Sequence, residues 1–252
     1  MPQIGNPTTG DFIPLEGDEH GMFVRTAGYD PDNDKIQVGT ARDKFRDEFF
    51  DFNTTDNWDV VQTGSGHAIS VAGAANGARY LNINTGTAIS TETIIQTKKS
   101  FKLPLKVAIG LSLSQRIANQ EFYIELVGVG SNGNVETDVT YPSTSLNDTK
   151  NAMSLKFSGT TATNAIAHVR GIGISELVSS AITTVSSAAT GTTPNFIPSG
   201  LFELNLDMEQ AIWSSWAIDS LAAATGHFKR SQNLPDPSKE YKIRIRTRNL
   251  ST

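Results

Sequence analysis

Apolar and polar positions alternate along most of this chain, and the alternation predicts β-strands. The clearest example runs over residues 106–114, where apolar side chains occupy every second position and small or polar side chains the others. Further strands are predicted at 79–84, 92–97, 121–129, 153–157, 202–208 and 241–246. Met208 is expected to face inward with Phe202, while Lys242, Arg244, Arg246 and Arg248 are expected to point outward from the last strand.

Residues 211–224 are the one segment where a helix competes with a strand. Ser214, Ser215 and Gly226 weaken the helix, and tryptophans suit strands equally well, so we predict a strand followed by a loop. The Ser/Thr/Ala-rich stretch 179–193 is predicted to be a long exposed loop or hairpin tip. The whole pattern predicts an all-β protein whose antiparallel strands form a two-sheet sandwich or jelly roll with Greek-key connections.

Residues 1–44 differ from the rest because they are rich in Pro, Gly, Asp and Thr and show no sustained period. They are either a floppy tail or an extended N-terminal arm whose spaced apolar residues dock on a neighbouring subunit. The candidate anchors of this arm are Ile4, Phe12, Ile13, Leu15, Phe23 and Val24. We therefore predict an arm over 1–44 and a β-sandwich domain over 45–252.

Composition narrows the function classes. The net charge of −5 and the pI of 5.4 argue against a nucleic-acid-binding surface, which needs surplus Lys and Arg. With 0 Cys there is no disulfide framework and no thiolate metal site. Neither a secretory signal nor an apolar run of about 20 residues is visible. We expect a protein made in a cytoplasm that has no membrane partner and no cofactor.

Paired carboxylates would indicate a glucanase-type hydrolase. The nearest match to a Glu-x-Asp-x-x-Glu strand is 203–209, whose alternation predicts Glu203, Asp207 and Glu209 on one face. However, Asn205 stands where a second carboxylate is needed, and the spacing differs from the motif. We favour a polar face whose acids pair across strands with the Lys/Arg row at 242–248. No catalytic residue is predicted.

Metal-binding patterns are also incomplete. The acidic stretch 30–34 places oxygen ligands at alternate positions, but Lys35 and Ala41 occupy the places where a calcium loop needs Gly and Glu. We interpret it as a turn, as we do Gly64-Ser65-Gly66. The four histidines lack ligand spacing and are expected at the surface or in loops: His20, His67, His168 and His227.

Two further groups leave alternatives open. A lysine cluster is interpreted as a solvated strand edge that resists aggregation, with docking onto an acidic partner as the alternative: Lys98, Lys99, Lys102 and Lys106. Trp58 is expected in the core. Trp213 and Trp216 are three residues apart and cannot share one strand face, so at least one is a candidate ligand-facing aromatic for a sugar.

The run from Phe45 to Asn53, Phe-Arg-Asp-Glu-Phe-Phe-Asp-Phe-Asn, is followed by Asn57-Trp58-Asp59. This aromatic and acidic opening resembles the first strand of concanavalin A-like β-sandwiches. That fold occurs in sugar-cleaving enzymes, in sugar-binding modules and in viral structural proteins, so the resemblance implies a fold and leaves three functions open.

Three segments, 47–52, 92–113 and 233–246, resemble structural proteins of tailed bacteriophages, in which a sandwich domain follows an N-terminal arm. The resemblance implies a non-enzymatic virion component, most simply a capsid decoration or cement protein. Its partners would be the major capsid protein or tail subunits, bound through the arm and the sheet edges, with a homo-oligomer expected. The alternative is a tail- or fibre-associated carbohydrate-binding domain that contacts a surface polysaccharide, and a glycoside hydrolase using Glu203 or Glu209 comes third.

Phage domains of this type usually finish with a further strand after the Arg-rich one, whereas this sequence ends at Thr252. We therefore expect either a sheet completed by a neighbouring subunit or a natural chain that continues beyond Thr252.

Overall fold

A computed structural model describes residues 3–6, 11–14, 29–30, 35–36, 45, 47, 52–73, 79–86, 88–112, 120–136, 151–158, 164–171, 177–180, 182–183, 199–217, 220–229 and 234–250. Every regular element in these ranges is a β-strand, and the strands pair antiparallel. The same ranges contain no helix long and apolar enough to span a membrane. The predicted antiparallel all-β class is confirmed.

The chain divides into two compact units, Met1–Asp47 and Glu48–Thr252. The described part of the first unit consists of two short pairs. Strand β1 (Gln3–Asn6) pairs with β2 (Asp11–Pro14), and β3 (Tyr29–Asp30) pairs with β4 (Lys35–Ile36). Of the acidic stretch 30–34, Asp30 lies in β3 and residues 31–34 lie outside the described residues. Of the predicted anchors, Ile4 lies in β1 and both Phe12 and Ile13 lie in β2, whereas Leu15, Phe23 and Val24 lie outside the described residues.

The larger sheet of the second unit has nine strands, with the order β14-β13-β12-β11-β19-β8-β5; β15 pairs with β13, and β9 with β19. Their bounds are Trp58–Thr63 (β5), Thr91–Thr97 (β8), Phe101–Lys102 (β9), Gln120–Gly128 (β11), Ala152–Ser158 (β12), Asn164–Arg170 (β13), Leu177–Val178 (β14), Ile182–Thr183 (β15) and Glu240–Asn249 (β19). The Arg-rich β19 lies in the middle of this sheet, with β11 on one side and β8 and β9 on the other. Strands of this chain thus pair with both edges of β19, and the two alternatives of strand exchange and a longer natural chain stay predictions.

The smaller sheet has four strands in the order β10-β16-β17-β18, and β6 and β7 form a separate hairpin. The bounds are Ala68–Gly73 (β6), Arg79–Asn84 (β7), Leu105–Ser112 (β10), Ser199–Leu206 (β16), Gln210–Ala217 (β17) and Ser220–Lys229 (β18). The strand predicted after residue 210 is confirmed, but the loop predicted to follow it is wrong. Pairing with β17 holds this Ala-rich segment in a strand, because sheet context overrides the weak strand propensity of Ala.

The core lies between the two sheets. Phe157 of β12 meets Phe202 of β16 edge to face, with ring centroids 5.1 Å apart, and it also contacts Phe122 of β11 at 5.8 Å. Such aromatic pairs add stabilisation beyond the burial of their area. Trp58 is buried, as predicted, and packs against Phe52. Met208 is 55% exposed because β16 ends at Leu206, which corrects its predicted inward position.

Two of the described glycines, Gly226 and Gly86, leave no room for a side chain. Gly226 of β18 pairs with Trp213 of β17, and a Cβ atom there would lie 2.2 Å from the indole Cζ2. The bare backbone therefore lets the indole lie across the neighbouring strand. Gly86 has φ +70°, and a Cβ atom there would lie 2.4 Å from the carbonyl oxygen of Gly66. Gly64 and Gly66 also have positive φ and form the predicted turn after β5.

Candidate functional site

The central strands of the large sheet carry ionisable side chains on one face. Register brings together Glu121 with Arg248, Tyr123 with Arg246, and Glu125 with Arg244. We call this surface the charged face and define it by eight residues: Glu92, Glu121, Tyr123, Glu125, Lys156, Arg244, Arg246 and Arg248. The intervening residues, such as Ile124 and Ile245, form the apolar face that packs into the core.

Glu125 is the centre of one ion-pair group. Its Oε2 accepts a hydrogen bond from Arg244 Nε at 2.5 Å, and its Oε1 accepts one from an Arg246 guanidinium nitrogen at 2.8 Å. The glutamate side chain is 0% exposed, and those of Arg244 and Arg246 are 3% and 2% exposed. Arg246 also lies 3.5 Å from Glu92. One buried carboxylate is thus held by two buried guanidinium groups.

Glu121 is the centre of a second group. Lys156 Nζ lies 2.5 Å from its Oε1, and Arg248 donates to its Oε2 at 2.6 Å. Tyr123 donates its hydroxyl proton to the same Oε2 at 2.5 Å. Burial alone would raise the pKa of this carboxyl group, but the hydrogen bonds from Lys156 and Tyr123 and the charge of Arg248 outweigh it, so the pKa is lowered. Glu121 is therefore ionised at neutral pH.

Tyr123 connects the two groups. The guanidinium carbon of Arg246 lies 4.4 Å from the centroid of the tyrosine ring. The guanidinium carbon of Arg248 lies 5.5 Å from the same centroid, and the Lys156 Nζ 5.7 Å. Cations at these distances are attracted to the ring face. Burial raises the pKa of the Tyr123 hydroxyl well above its usual range, so the group stays protonated and acts as a donor.

This arrangement determines which chemistry the charged face supports. Glycoside hydrolysis by two carboxyl groups requires one of them to be protonated, with a raised pKa, so that it can donate to the leaving group. Glu121 has its pKa shifted in the opposite direction, and Glu125 is engaged by two arginines. Within the described ranges there is also no group of three or more His, Cys, Asp or Glu side chains that could hold a metal ion. The charged face has the geometry of a structural ion network.

The predicted pairing of the Lys/Arg row is wrong. Its partner strand is β11, whereas Glu203 lies in the other sheet and pairs with Lys106 at 2.9 Å. Lys242, Arg244 and Arg246 are also buried and Arg248 is half-buried, so the predicted exposure of the row to solvent is wrong as well.

The predicted acidic row over 203–209 does not form. Strand β16 ends at Leu206, and Asp207 lies in the following turn, where its Oδ1 accepts a hydrogen bond from the amide of Glu209 at 2.7 Å. Glu203, Asp207 and Glu209 therefore do not share one strand face. The hydrolase alternative based on Glu203 or Glu209 loses its geometric basis.

Of the two candidate sugar-facing tryptophans, the structure describes the side chain of Trp213 but only the backbone of Trp216. Trp213 is 8% exposed, and its ring packs on Phe228 with centroids 4.8 Å apart, so it offers no exposed stacking face. This corrects its candidate role, since the indole belongs to the inner face of the small sheet. Trp216 lies in β17 and pairs with Leu201 and Ala223, but its side chain is outside the described part of the structure.

The histidines and the lysine cluster are separated in space. His168 is buried on β13, which corrects its predicted surface position, whereas His227 is exposed and His20 lies outside the described residues. His67 is half-buried next to β6. Of the lysines, Lys98 lies 3.7 Å from Asp59, Lys99 lies over the Phe101 ring and Lys106 belongs to the small sheet. Because they lie on different sheets, they do not form the single predicted edge.

A shallow pocket of about 450 Å³ lies at the start of β19. Its lining contains three serine hydroxyls together with Lys239 and Glu240. Lys239 is paired with Glu136, and Glu240 accepts a hydrogen bond from Ser100, so both charged groups are already engaged. The lining has no histidine or aromatic residue, and we assign the pocket no chemistry.

The charged face was missed at the level of sequence, although a signal exists. Glu121-Phe122-Tyr123-Ile124-Glu125 places two acids and a tyrosine on one side of a strand that the alternation predicts. A complementary row of cations at the same spacing lies over 242–248. The acids of 203–209 were an alternative partner for this cation row. The sequence alone does not show whether the row pairs with them or with the acids of 121–125.

Comparison with known proteins returns two glucanases among the similar solved structures. The chain is similar to a Bacillus licheniformis β-glucanase with a TM-score of 0.45 and 9% identity, covering 81% of this chain and 84% of that one. It matches a glycoside hydrolase family 16 endo-glucanase from Bacteroides ovatus, in complex with G4G3G-2F-DNP, with a TM-score of 0.48 and 12% identity, covering 82% and 86%. No family model and no curated protein matches the sequence. Similarities of this size carry over neither activity nor ligand.

Proposed function

We propose that this protein is a non-enzymatic structural component of a bacteriophage virion, a capsid decoration or cement protein that binds neighbouring subunits. The observation that carries the proposal is the division of the chain into a sandwich unit and a separate N-terminal unit whose described strands are two to four residues long. The proposal that the particle is a phage virion rests on the resemblance of the sequence to structural proteins of tailed phages.

The N-terminal strand pairs are too short to be stable by themselves. An isolated two-stranded hairpin is marginally stable at best in water, because it buries little apolar surface. Strands β1 and β2 nevertheless pair Ile4 with Ile13 and Gly5 with Phe12. We propose that these positions dock on a neighbouring subunit, so that apolar burial at the boundary offsets the entropy lost on ordering the arm.

The charged face supports the non-enzymatic part of the proposal. Its two central carboxylates are each engaged by two cations, which suits a rigid scaffold better than proton transfer. The carbohydrate-binding alternative needs an exposed ring from Trp213 or Trp216, and the first of these is buried. The partners we propose are the major capsid protein or tail subunits and further copies of this chain, with the virion as the location and no nucleic acid bound.

The first test is removal of residues 1–47. We expect the truncated chain to keep the β-sheet circular dichroism and a cooperative unfolding transition, while its copy number per purified particle, measured by quantitative mass spectrometry, drops to background. Incorporation of the truncated chain at the wild-type copy number would contradict the proposal.

Two matched full-length double variants test whether incorporation needs the apolar side chains of the arm or only the presence of residues 1–47. Ile4→Ser with Ile13→Ser removes the apolar cross-strand pair of the β1–β2 hairpin, and Asn6→Ser with Asp11→Ser changes the polar pair of the same hairpin. We expect the first double variant to lose incorporation and the second to retain it. Equal copy numbers for the two would refute docking through the apolar positions.

A further inference from the structure

Strand β10 forms one edge of the four-stranded sheet. It pairs with β16 through eight consecutive register positions, from Leu105 with Leu206 to Ser112 with Ser199, without an interruption. No described strand pairs with its other edge. An edge of this length presents a row of backbone N–H and C=O groups that can pair with another chain.

Natural edge strands are usually blocked by charge, proline or a bulge. In β10 the one charged residue is Lys106, near the beginning of the strand, and its Nζ lies 2.9 Å from Glu203. The six residues from Val107 to Ser112 carry no charge and no proline, and the pairing with β16 contains no bulge. Among the described residues, the greater part of this edge therefore has neither a pairing strand nor a charge, proline or bulge that would block pairing.

Apolar surface remains uncovered along the same strand. Leu105, Val107, Ile109 and Leu111 alternate on the inner side of the sheet, and their partners on β16 include the buried Phe202 and Leu204. Val107 is buried, but Ile109 and Leu111 are only half-buried. An additional strand beside β10 would bring further apolar side chains against these two residues.

We infer that β10 of a second copy pairs antiparallel with this edge about a two-fold axis at Ala108, an inference that rests on the proposed function. The two four-stranded sheets then join into one continuous sheet of eight strands. Across the axis, Lys106 lies opposite Gly110 of the second copy, and on the inner side Val107 lies opposite Ile109 and Leu105 opposite Leu111.

The charge and the apolar positions select this register. An axis at Lys106 would place two ammonium groups directly opposite each other, which is destabilising. An axis at Ile109 would place Leu105 opposite residue 113, which lies outside the described residues. The axis at Ala108 pairs all four inner residues with one another and places each lysine opposite a glycine, so it satisfies both requirements.

The absence of cysteine from the sequence makes the register directly testable. Residues directly opposite each other in an antiparallel pair have Cα atoms about 4.5–5.5 Å apart, inside the disulfide range of about 4.4–6.8 Å. Ala108→Cys in the full-length protein therefore places two thiols face to face on the axis. The matched control is His227→Cys, which is exposed on the same side of the small sheet but on its opposite edge strand, β18.

Under mild oxidation we expect most of the Ala108→Cys protein to run as a disulfide-linked dimer on non-reducing gels, and His227→Cys to stay monomeric. In sedimentation velocity the wild type should have the mass of a dimer. The Ala108→Lys variant, which puts two cations on the axis at an exposed position, should have the mass of a monomer. Cross-linking of Ala108→Cys no greater than that of His227→Cys would overturn the inference, as would an unchanged mass for Ala108→Lys. Either result would leave the proposed function standing, because the removal of residues 1–47 tests separately whether incorporation depends on the arm.

Discussion

Strands β11 and β19 present two buried faces of opposite chemistry. On the apolar face, Ile124 lies opposite Ile245 and Leu126 opposite Ile243, and their side chains pack toward the small sheet. On the charged face, Glu125 lies opposite Arg244 and Glu121 opposite Arg248. The alternation of the sequence is the same for both faces, yet one is stabilised by burial of hydrocarbon and the other by ion pairs and hydrogen bonds.

The comparison teaches that alternation assigns residues to faces without stating which face meets water. A strand with one solvated face and a central strand with two covered faces can have the same pattern. The ion pairs on the charged face are also unlike surface pairs. Removal of one member of a buried pair leaves the other charge in a poorly solvated place, whereas an exposed pair contributes little.

The largest effect is expected from Glu125→Gln, which keeps the side-chain shape and removes the negative charge between Arg244 and Arg246. We expect the free energy of unfolding to fall by about 3–5 kcal/mol, the range for breaking a buried ion pair. Urea denaturation followed by circular dichroism measures it.

The matched control is Glu203→Gln, because Glu203 pairs with Lys106, whose side chain is 57% exposed. We expect a loss of about 0–1 kcal/mol there, the range for surface pairs. Equal losses in the two variants would show that burial does not distinguish the two ion pairs.

A smaller effect is expected from Ile124→Val, at the residue before Glu125 and on the opposite face. Deleting one buried methylene from this well-packed position should lower the free energy of unfolding by about 0.5–1.5 kcal/mol. The same urea titration compares it with Glu125→Gln. If Ile124→Val proved the more damaging of the two, hydrocarbon packing would dominate both faces and the charged face would contribute little.

The smallest effect is expected from lowering the pH of the wild-type protein, which protonates Glu121 on the charged face. The pKa of Glu121 is lowered from its ordinary 4.5 in the folded protein, so the unfolded chain binds the proton more tightly. The stabilisation is therefore fully present above about pH 4.5 and is lost as the pH falls through the lowered folded value. We expect thermal melting temperatures to decline over this acid range, and Glu121→Gln to show a shallower decline. Parallel curves for the two proteins would exclude Glu121 as a source of the acid sensitivity.

Much of the sandwich was predictable from local patterns. The strands predicted at 79–84, 92–97, 106–114, 121–129, 153–157, 202–208 and 241–246 correspond to β7, β8, β10, β11, β12, β16 and β19. Strand β18 was missed because its Ala-rich sequence has weak strand propensity, and its pairing with β17 is a tertiary contact. The charged face was missed, since the cation row was recognised but assigned to the wrong acids.

The sequence by itself determined the all-β class, the alternation that separates two faces on each strand, and the absence of any thiol chemistry, because these depend on residue type and a period of two. Only the tertiary structure decided that Arg244 and Arg246 are buried, that their partner is Glu125, and that Trp213 lies inside across from Gly226. The physical reason is that strand order and sheet packing are long-range properties. Several acidic strands were chemically able to pair with the cation row, and only the folded arrangement selects one of them.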